Sequence, residues 1–392
     1  MKRILLLLSI IIIALLSNLT NHNQALAQIL PVPVSQEVPN APVPVKAGGK
    51  MHLVYELHIT SFRARSLTLN RIEVINGDSK AQLIDVFQGV KLNSRLSRPG
   101  ASAGSTNNRI IGGGLRAIMF LQLTFNTPAE VPQTLRHRLF FKSDDAANPS
   151  GESMVEGTRV IVKRSAPLII SPPLRGEGWV SASGLSNISG HRRTFVVLDG
   201  KARIPQRFAT DWVKLGSDGK LFHDSPTRNA NWYGYGAQVL AVAKSTVVAV
   251  KDDIPENEVT SSQRAVPITL ETAAGNHIIL SLGRGYFAVY AHLQPGSMRV
   301  KVGDVVRRGQ VIALLGNTGN ADAPQLHFHI SDTNSPLGAE GMPFVFEAFD
   351  VQGAISSLDS LIYSEGWKPQ LDFKPDRHRL EIPLENTVVS FP

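Results

Sequence analysis

The sequence predicts a mostly β protein, and three observations support this. Apolar and polar residues alternate over short runs, the runs end at Gly, Pro, Asn, Asp or Ser, and few stretches keep a helical period. The chain has 392 residues, of which 43% are hydrophobic and 18% are charged. A globular chain of this length can bury a full core in each of two or three domains.

The first 27 residues have the pattern of a secretory signal peptide. Lys2 and Arg3 precede an apolar run over residues 4–16, and Ala25 and Ala27 supply the small residues of a cleavage site. The run is shorter than the roughly 20 apolar residues that span a bilayer. We expect residues 1–27 to be removed and the protein to be exported to the periplasm, the cell envelope or the extracellular space. No stable membrane span is then expected, the alternative being an uncleaved anchor.

The chain is basic, with a formal net charge of +8 to which Lys2 and Arg3 contribute. Basic exported proteins often contact anionic polymers of the cell wall or membrane surfaces, although the charge is equally compatible with simple solubility. Basic and aromatic residues are not interleaved in a stripe, so we expect no nucleic-acid partner.

Residues 28–48 contain five prolines and predict a semi-extended linker. Alternating runs then follow at 52–59, 67–75, 116–125, 136–142 and 158–164, and they predict a β-sandwich-like domain over residues 49–165. His52, His58 and His137 fall inside these runs at unrelated spacings. We expect these three histidines to be structural.

A second β-rich domain is predicted over residues 166–335, and residues 336–392 form a looser C-terminal extension with one short helix over 354–363. The strands of the second domain are expected at 194–200, 207–215, 237–243, 246–251, 276–283, 286–293, 311–316 and 326–330. No chemistry is assigned to the extension.

Candidate functional residues occur only in the second domain. Asp211 lies among apolar residues in "QRFATDWV", where a strand would place Arg207 and Asp211 on one face. A carboxylate in such surroundings needs an arginine, hydrogen-bond donors or a metal as its partner. His292 ends another apolar run, and a single histidine in that position is more often structural than catalytic.

The stretch "APQLHFHI" places Gln325, His327 and His329 on the same side of a strand. The chain has no cysteine, so any metal ligands must be His, Asp or Glu. Two imidazoles and a carboxylate from a neighbouring strand can bind one zinc ion and leave a fourth position for water.

The sequence from Asp211 to His329 resembles the lysostaphin/LytM-type zinc endopeptidases. In "GNHIILSLGRGYFAVYAHLQPGSMRVKVGDVVRRGQVIALLGNTGNADAPQLHF", the Tyr-x-His-Leu segment, the Lys-Val-Gly-Asp turn, the Arg-Gly-Gln-Val turn and the Gly-Asn-Thr-Gly loop appear in that family's order. The resemblance implies the β-sheet core called the duplicated hybrid motif, a zinc cofactor and peptidoglycan as substrate.

The resemblance also implies roles for individual residues. Asp211 and His327 match zinc ligands, and His292 matches a catalytic histidine. Arg207 occupies the position of the family's first histidine ligand, and Gln325 that of a second catalytic histidine. An arginine does not lose its proton to bind a metal, and a glutamine cannot shuttle protons.

Three histidines are possible replacements for the missing ligand: His329 on the same strand face as His327, and His191 and His223 in loops. Each is equally compatible with a surface or hydrogen-bonding role, because a metal site needs several ligands to converge.

Three functions are compatible with these residues. The first is an exported zinc metallopeptidase that cleaves peptide cross-links or stems of peptidoglycan. The alternative is a catalytically degenerate LytM-type domain that binds the cell wall or regulates a hydrolase, with envelope proteins as partners. A carrier module of the lipoyl or biotinyl type would share the "VKVGDVVRRGQVIALLG" pattern, but the expected lysine hairpin is missing.

Overall fold

A computed structural model describes residues 32–79, 82–101, 106–142, 151–259, 261, 263–362, 366–369, 374 and 376–392. The predicted signal peptide and the first residues of the predicted linker lie outside the described residues. The chain divides into two compact units. The first comprises the residues up to Asn40, Glu56–Phe120 and Pro132–Ile161, and the second comprises Ala41–Tyr55, Leu121–Val131 and Val162–Pro392.

The described residues up to Ile161 form eleven strands, one α-helix, α1 (Gly89–Arg95), and a 3₁₀ turn at Pro128–Glu130. The strands are β1 (Val34–Glu37), β2 (Pro44–Ala47), β3 (Lys50–Ser61), β4 (Leu67–Asn76), β5 (Leu83–Gln88), β6 (Leu96–Ser97), β7 (Ile110–Ile111), β8 (Arg116–Phe125), β9 (Thr134–Lys142), β10 (Glu152–Glu156) and β11 (Val160–Ile161). All five predicted runs of this region contain a strand.

These strands form two sheets. One has the order β10-β9-β4-β5, with β11 beside β9 and β7 beside β4. The other has the order β1-β3-β8-β6, with β2 beside β3. Alternate residues of β9 are buried, and His137 is one of them, opposite Val74 of β4. The sandwich arrangement and the domain boundaries predicted from the sequence stay predictions.

The second unit is dominated by an eleven-stranded sheet in the order β12-β24-β26-β13-β16-β23-β20-β19-β18-β21, with β25 beside β24. Two further pairs, β14-β15 and β17-β22, form separate two-stranded sheets. The strands of the second unit from residue 162 onwards are β12 (Leu168–Ile170), β13 (Gly176–Ala182), β14 (Val196–Leu198), β15 (Lys201–Arg203), β16 (Thr210–Lys214), β17 (Gln238–Leu240), β18 (Ser245–Lys251), β19 (His277–Gly283), β20 (Tyr286–Ala291), β21 (Val305–Val306), β22 (Val311–Leu314), β23 (Leu326–Ser331), β24 (Phe344–Ala354), β25 (Asp376–Glu381) and β26 (Thr387–Phe391). The described part of the chain is therefore mostly β, as predicted.

Helices of the second unit are short: α2 (Gly190–Arg193), α3 (Leu358–Ile362) and a 3₁₀ turn at Asn229–Asn231. The helix predicted over 354–363 starts later than expected, because Ala354 still pairs with Thr387 in the sheet. Residues of the predicted C-terminal extension supply β24, β25 and β26. No helix among the described residues is long and apolar enough to cross a membrane.

Strand β23 shows how the sheet positions polar side chains. All six of its residues are buried, and Leu326, Phe328 and Ile330 pack into the hydrophobic core. Because successive side chains point to opposite faces, His327 and His329 lie on the other face. A run that is apolar on one face therefore presents two imidazoles on the face that lines a cavity.

Candidate metal centre and active site

Strand pairing brings Asp211 and His327 together. Strand β16 lies antiparallel to β23, and Asp211 is directly opposite His327 in the register. Side chains of directly opposed residues are neighbours on one face of a sheet. The Oδ1 atom of Asp211 lies 2.8 Å from Nδ1 of His327, and both residues are buried.

His191 reaches the same carboxylate from α2. Its Nε2 atom is 3.2 Å from Oδ2 of Asp211, and its ring centroid is 4.7 Å from that of His327. The Nδ1 atom of His191 lies 3.1 Å from the Ser183 carbonyl oxygen. A carbonyl oxygen only accepts hydrogen bonds, so Nδ1 carries the proton and Nε2 of a neutral His191 directs its lone pair at Asp211. The lone pair of His191 Nε2 and the negative charge of Asp211 Oδ2 repel each other at this distance. A proton or a metal cation between these two atoms removes that repulsion.

The electrostatics of the group reflect this arrangement. Burial alone would raise the pKa of Asp211, but the adjacent imidazoles of His191 and His327 hold that pKa far below its ordinary value. Burial alone would lower the pKa of His191, whereas the charge and hydrogen bonding of Asp211 raise it overall. Asp211 is therefore a carboxylate that favours positive charge at its neighbours.

These three residues fit a zinc ion. Their potential ligand atoms all lie within 4.8 Å of one another. Tetrahedral zinc with bonds of about 2.0–2.1 Å separates its ligand atoms by roughly 3.3 Å. The separations of 2.8 Å between Asp211 Oδ1 and His327 Nδ1 and of 3.2 Å between Asp211 Oδ2 and His191 Nε2 are near that value. Donation from His191 Nδ1 to a backbone carbonyl is also the usual orienting contact of a ligating histidine.

His292 follows β20 and faces the same group. Its ring centroid is 5.7 Å from that of His327, and its Nδ1 lies 2.7 Å from the Thr318 carbonyl oxygen. Nδ1 therefore donates, and Nε2 is left as a hydrogen-bond acceptor. Burial, with a contribution from His327, lowers the pKa of His292 to about 4, so its imidazole is neutral at pH 7.

The backbone of His292 is also held in an uncommon conformation. Its φ of 62° lies in the left-handed region, which costs a non-glycine residue roughly 1 kcal/mol or more. Two backbone hydrogen bonds hold His292 in this conformation. Its N–H donates to the Ala274 carbonyl oxygen, and its own carbonyl oxygen accepts from the Gly316 N–H. The strained backbone is thus held at a residue whose side chain faces the group formed by His191, Asp211 and His327.

One cavity of about 270 Å³ joins these side chains. Its polar lining includes His191, Gln206, Asp211, His292, Gln325, His327 and His329. The cavity thus combines the potential ligands, a neutral histidine and three amide side chains, those of Gln206, Asn320 and Gln325.

The other predicted replacement ligands lie in different places. His329 Nδ1 is 3.0 Å from His327 Nε2, on the edge of the ring away from Asp211. Burial lowers the pKa of His329 well below its ordinary value. His223 is half-exposed, contacts Asp224 at 2.8 Å and does not line the cavity. Of the three candidates, the structure places His191 beside both Asp211 and His327.

The prediction that Arg207 and Asp211 share one strand face is wrong. Strand β16 begins at Thr210, and residues 205–208 form a turn that starts with a proline. The Arg207 guanidinium makes an ion pair with Glu340 at 2.8 Å. Gln206, which sequence reasoning missed, has its Nε2 atom 3.3 Å from Nε2 of His327. The one signal in the sequence that could have indicated Gln206 is its position next to Arg207, which stands where the family has a histidine ligand.

Comparisons with known proteins agree with this geometry. Residues 232–338 match Peptidase family M23. A stretch of 80 residues is 35% identical to the peptidoglycan DD-endopeptidase ShyB of Vibrio cholerae and covers 20% of this chain and 18% of that protein. A stretch of 66 residues is 39% identical to ShyA, a peptidoglycan DD-endopeptidase of the same organism, and covers 17% of this chain and 15% of that protein. The chain thus spans less than a fifth of the length of these relatives.

Among solved structures, the catalytic domain of lysostaphin from Staphylococcus simulans aligns with 42% of this chain and 84% of its own length. The sequence identity is 20% and the TM-score is 0.23. Residues 232–338 thus match Peptidase family M23, and the resemblance to lysostaphin/LytM-type peptidases predicted from the sequence is confirmed for this part of the chain.

Proposed function

We propose that this protein is a zinc metallopeptidase that cleaves peptide cross-links or stems of peptidoglycan. The convergence of His191, Asp211 and His327 beside the neutral His292 is the observation that supports it most directly. The substrate class follows from the relatives, which are named peptidoglycan DD-endopeptidases.

The residues divide into ligands and proton carriers. His191 Nε2, an Asp211 oxygen and His327 Nδ1 would hold the metal. A bound zinc ion supplies Lewis acidity and lowers the pKa of a coordinated water to about 7. The carboxylate of Asp211 provides the negative charge that favours a divalent cation between two imidazoles.

His292 is suited to accept a proton from water in the cavity. Its Nε2 is unprotonated at pH 7, and the Thr318 carbonyl oxygen both fixes the ring and stabilises the imidazolium that forms. The amide of Gln325, which lines the same cavity, can donate a hydrogen bond to a substrate carbonyl but cannot transfer a proton. We therefore expect one histidine, rather than two, to move protons in this site.

We further propose that the protein is exported and acts in the periplasm, the cell envelope or outside the cell. The predicted signal peptide and the location of peptidoglycan support this. Secretion of a mature form starting near residue 28, detected by N-terminal sequencing, is the expected result. A full-length protein retained in the cytosol would contradict it.

A second function is favoured by Gln325. If proton transfer needs a histidine at that position, the domain binds peptidoglycan or regulates another hydrolase without cleaving. In that case wall binding persists after His292→Ala and after chelation, and no peptide fragments are released.

One experiment separates these functions. The purified protein is analysed for zinc by mass spectrometry and incubated with purified peptidoglycan, and the released fragments are identified. We expect about one zinc per chain and new peptide termini, both lost in His191→Ala and retained in the control His223→Ala. Zinc below about a tenth per chain in the wild type would overturn the proposal. Zinc without cleavage would favour the regulatory function.

A further inference from the structure

The residue after the proposed ligand His191 is a fully buried arginine. Arg192 is 1% exposed. Its Nη2 atom donates to the carbonyl oxygens of Tyr55 at 2.9 Å and Leu121 at 2.7 Å, and Nη1 donates to Oδ1 of Asn187. Arginine is almost never fully buried unless its donors are satisfied. These bonds therefore fix the position of the guanidinium.

The acceptors belong to the second unit and come from distant parts of the chain. Tyr55 lies in β3 and Leu121 in β8, which are neighbours in one sheet. They are 137 and 71 residues away from Arg192 in sequence. Arg192 thus connects α2 to two adjacent strands that precede it in the chain.

Helix α2 needs such support. It has four residues, and its N-cap Ser189 makes no side-chain capping hydrogen bond. A single helical turn is unstable on its own, because nucleation costs more than one hydrogen bond returns. The position of His191 therefore depends on contacts that α2 makes with the rest of the unit.

We propose that Arg192 is a positioning residue of the metal centre. By holding α2 against the carbonyls of Tyr55 and Leu121, it keeps His191 Nε2 beside Asp211 and so determines the metal affinity of the site. The inference rests on the proposed function, because it requires His191 to be a ligand.

The shape of the side chain explains why arginine is needed. The planar guanidinium presents several N–H donors in a fixed fork, which here meet two backbone carbonyls and one amide oxygen. A lysine keeps the positive charge but offers a compact ammonium on a flexible stem, so it cannot reproduce all three bonds at once. Arg192→Lys is therefore a conservative test of geometry rather than of charge.

The experiment measures metal binding to the apoprotein by competition with a chelator, and the visible absorption spectrum of the cobalt(II) form. We expect Arg192→Lys to weaken zinc affinity by about 10- to 100-fold, the usual cost of losing a residue that orients a ligand. The cobalt spectrum should change, because the ligand geometry changes. Arg164→Lys is the control for the substitution itself, since the exposed Arg164 donates to a backbone carbonyl outside α2, that of Val131. Unchanged affinity and spectrum in Arg192→Lys would overturn the proposal.

A double-mutant cycle separates positioning from general destabilisation. If Arg192 acts through His191, then His191→Ala and the double variant His191→Ala/Arg192→Lys bind zinc equally weakly. Additive losses would contradict the proposal. Asn187→Ala removes one acceptor and leaves the guanidinium, so it should give a smaller loss of affinity in the same direction and serves if Arg192→Lys does not fold. No loss in Asn187→Ala would then overturn the proposal, whereas a wild type without zinc would refute the proposed function itself.

Discussion

Two buried histidines on paired strands, His137 in the first unit and His327 in the second, differ in what lies across the ladder. His137 in β9 is opposite Val74, and burial lowers its pKa to about 4. His327 in β23 is opposite Asp211, whose carboxylate opposes the lowering of the His327 pKa by burial. Burial and placement in a strand are thus alike at His137, which is predicted to be structural, and at His327, which is a proposed metal ligand. The carboxylate on the neighbouring strand distinguishes them.

The largest effect on zinc binding and activity is expected from replacing His327, with a replacement of His137 as the comparison. His327→Ala should abolish zinc binding and lower peptidase activity by about three orders of magnitude or more, because a ligand and several kcal/mol of transition-state stabilisation are lost. His137→Phe should leave both unchanged. Zinc analysis and fragment release measure the two effects, and equal zinc contents in the two variants would remove the distinction.

The second prediction concerns how the free energy of unfolding of the first unit depends on pH through His137. The pKa of His137 is about 4 in the folded protein and about 6.5 when unfolded, so between these values the unfolded state binds more protons. Its contribution to stability is therefore complete above pH 6.5 and falls by up to about 3 kcal/mol as the pH drops to 4. Urea unfolding at several pH values should show a shallower decline for His137→Phe. An identical slope in the variant would assign the acid sensitivity to other groups.

A gain of activity is expected at Gln325. Replacing it with histidine adds a second group able to transfer protons in the cavity, and such groups contribute 10²- to 10⁴-fold when ideally placed. Because the surroundings are not adapted to it, we expect about a 10- to 50-fold increase in kcat for Gln325→His. Steady-state kinetics on peptidoglycan fragments measure it, with Gln325→Asn as the control. No increase would show that the second histidine is dispensable in this site.

The smallest effect is expected at Arg207. Removing its guanidinium in Arg207→Met leaves the partly exposed Glu340 without this ion pair and should destabilise the second unit by about 1–2 kcal/mol. Zinc content should stay unchanged, because Arg207 is outside the ligand group. Urea unfolding measures the loss, and Arg207→Met/Glu340→Gln should recover part of it. Loss of zinc in Arg207→Met would connect this position to the metal centre after all.

Much of the strand pattern could be predicted from the sequence, because period-two alternation and turn residues are local signals. The strands of the C-terminal extension were missed for a physical reason. In β24, five of the first six residues are buried, so no alternation is visible. The face assigned to Arg207 was wrong because a turn beginning at Pro205 interrupts the expected strand.

The site was predictable only in part. Asp211, His292 and His327 were singled out by their motifs, and they line one cavity. His191 was one of three equal candidates, since nothing in "SGHRR" indicates where that turn packs. Its position depends on hydrogen bonds from Arg192 to Tyr55 and Leu121, which are contacts between residues far apart in sequence.

The distribution of these residues along the chain limits how the protein can be shortened. His191 and Asp211 both precede residue 232, where the match to Peptidase family M23 begins. Strand β16, which contains Asp211, and its neighbour β13 also come before it. A fragment cut to the matched segment would lose two proposed ligands, and one that began after Tyr55 would lose an anchor of α2. The proposed metal centre therefore extends beyond the segment that matches the family, and a shortened chain that keeps His191 in place must include strands from the first third of the chain.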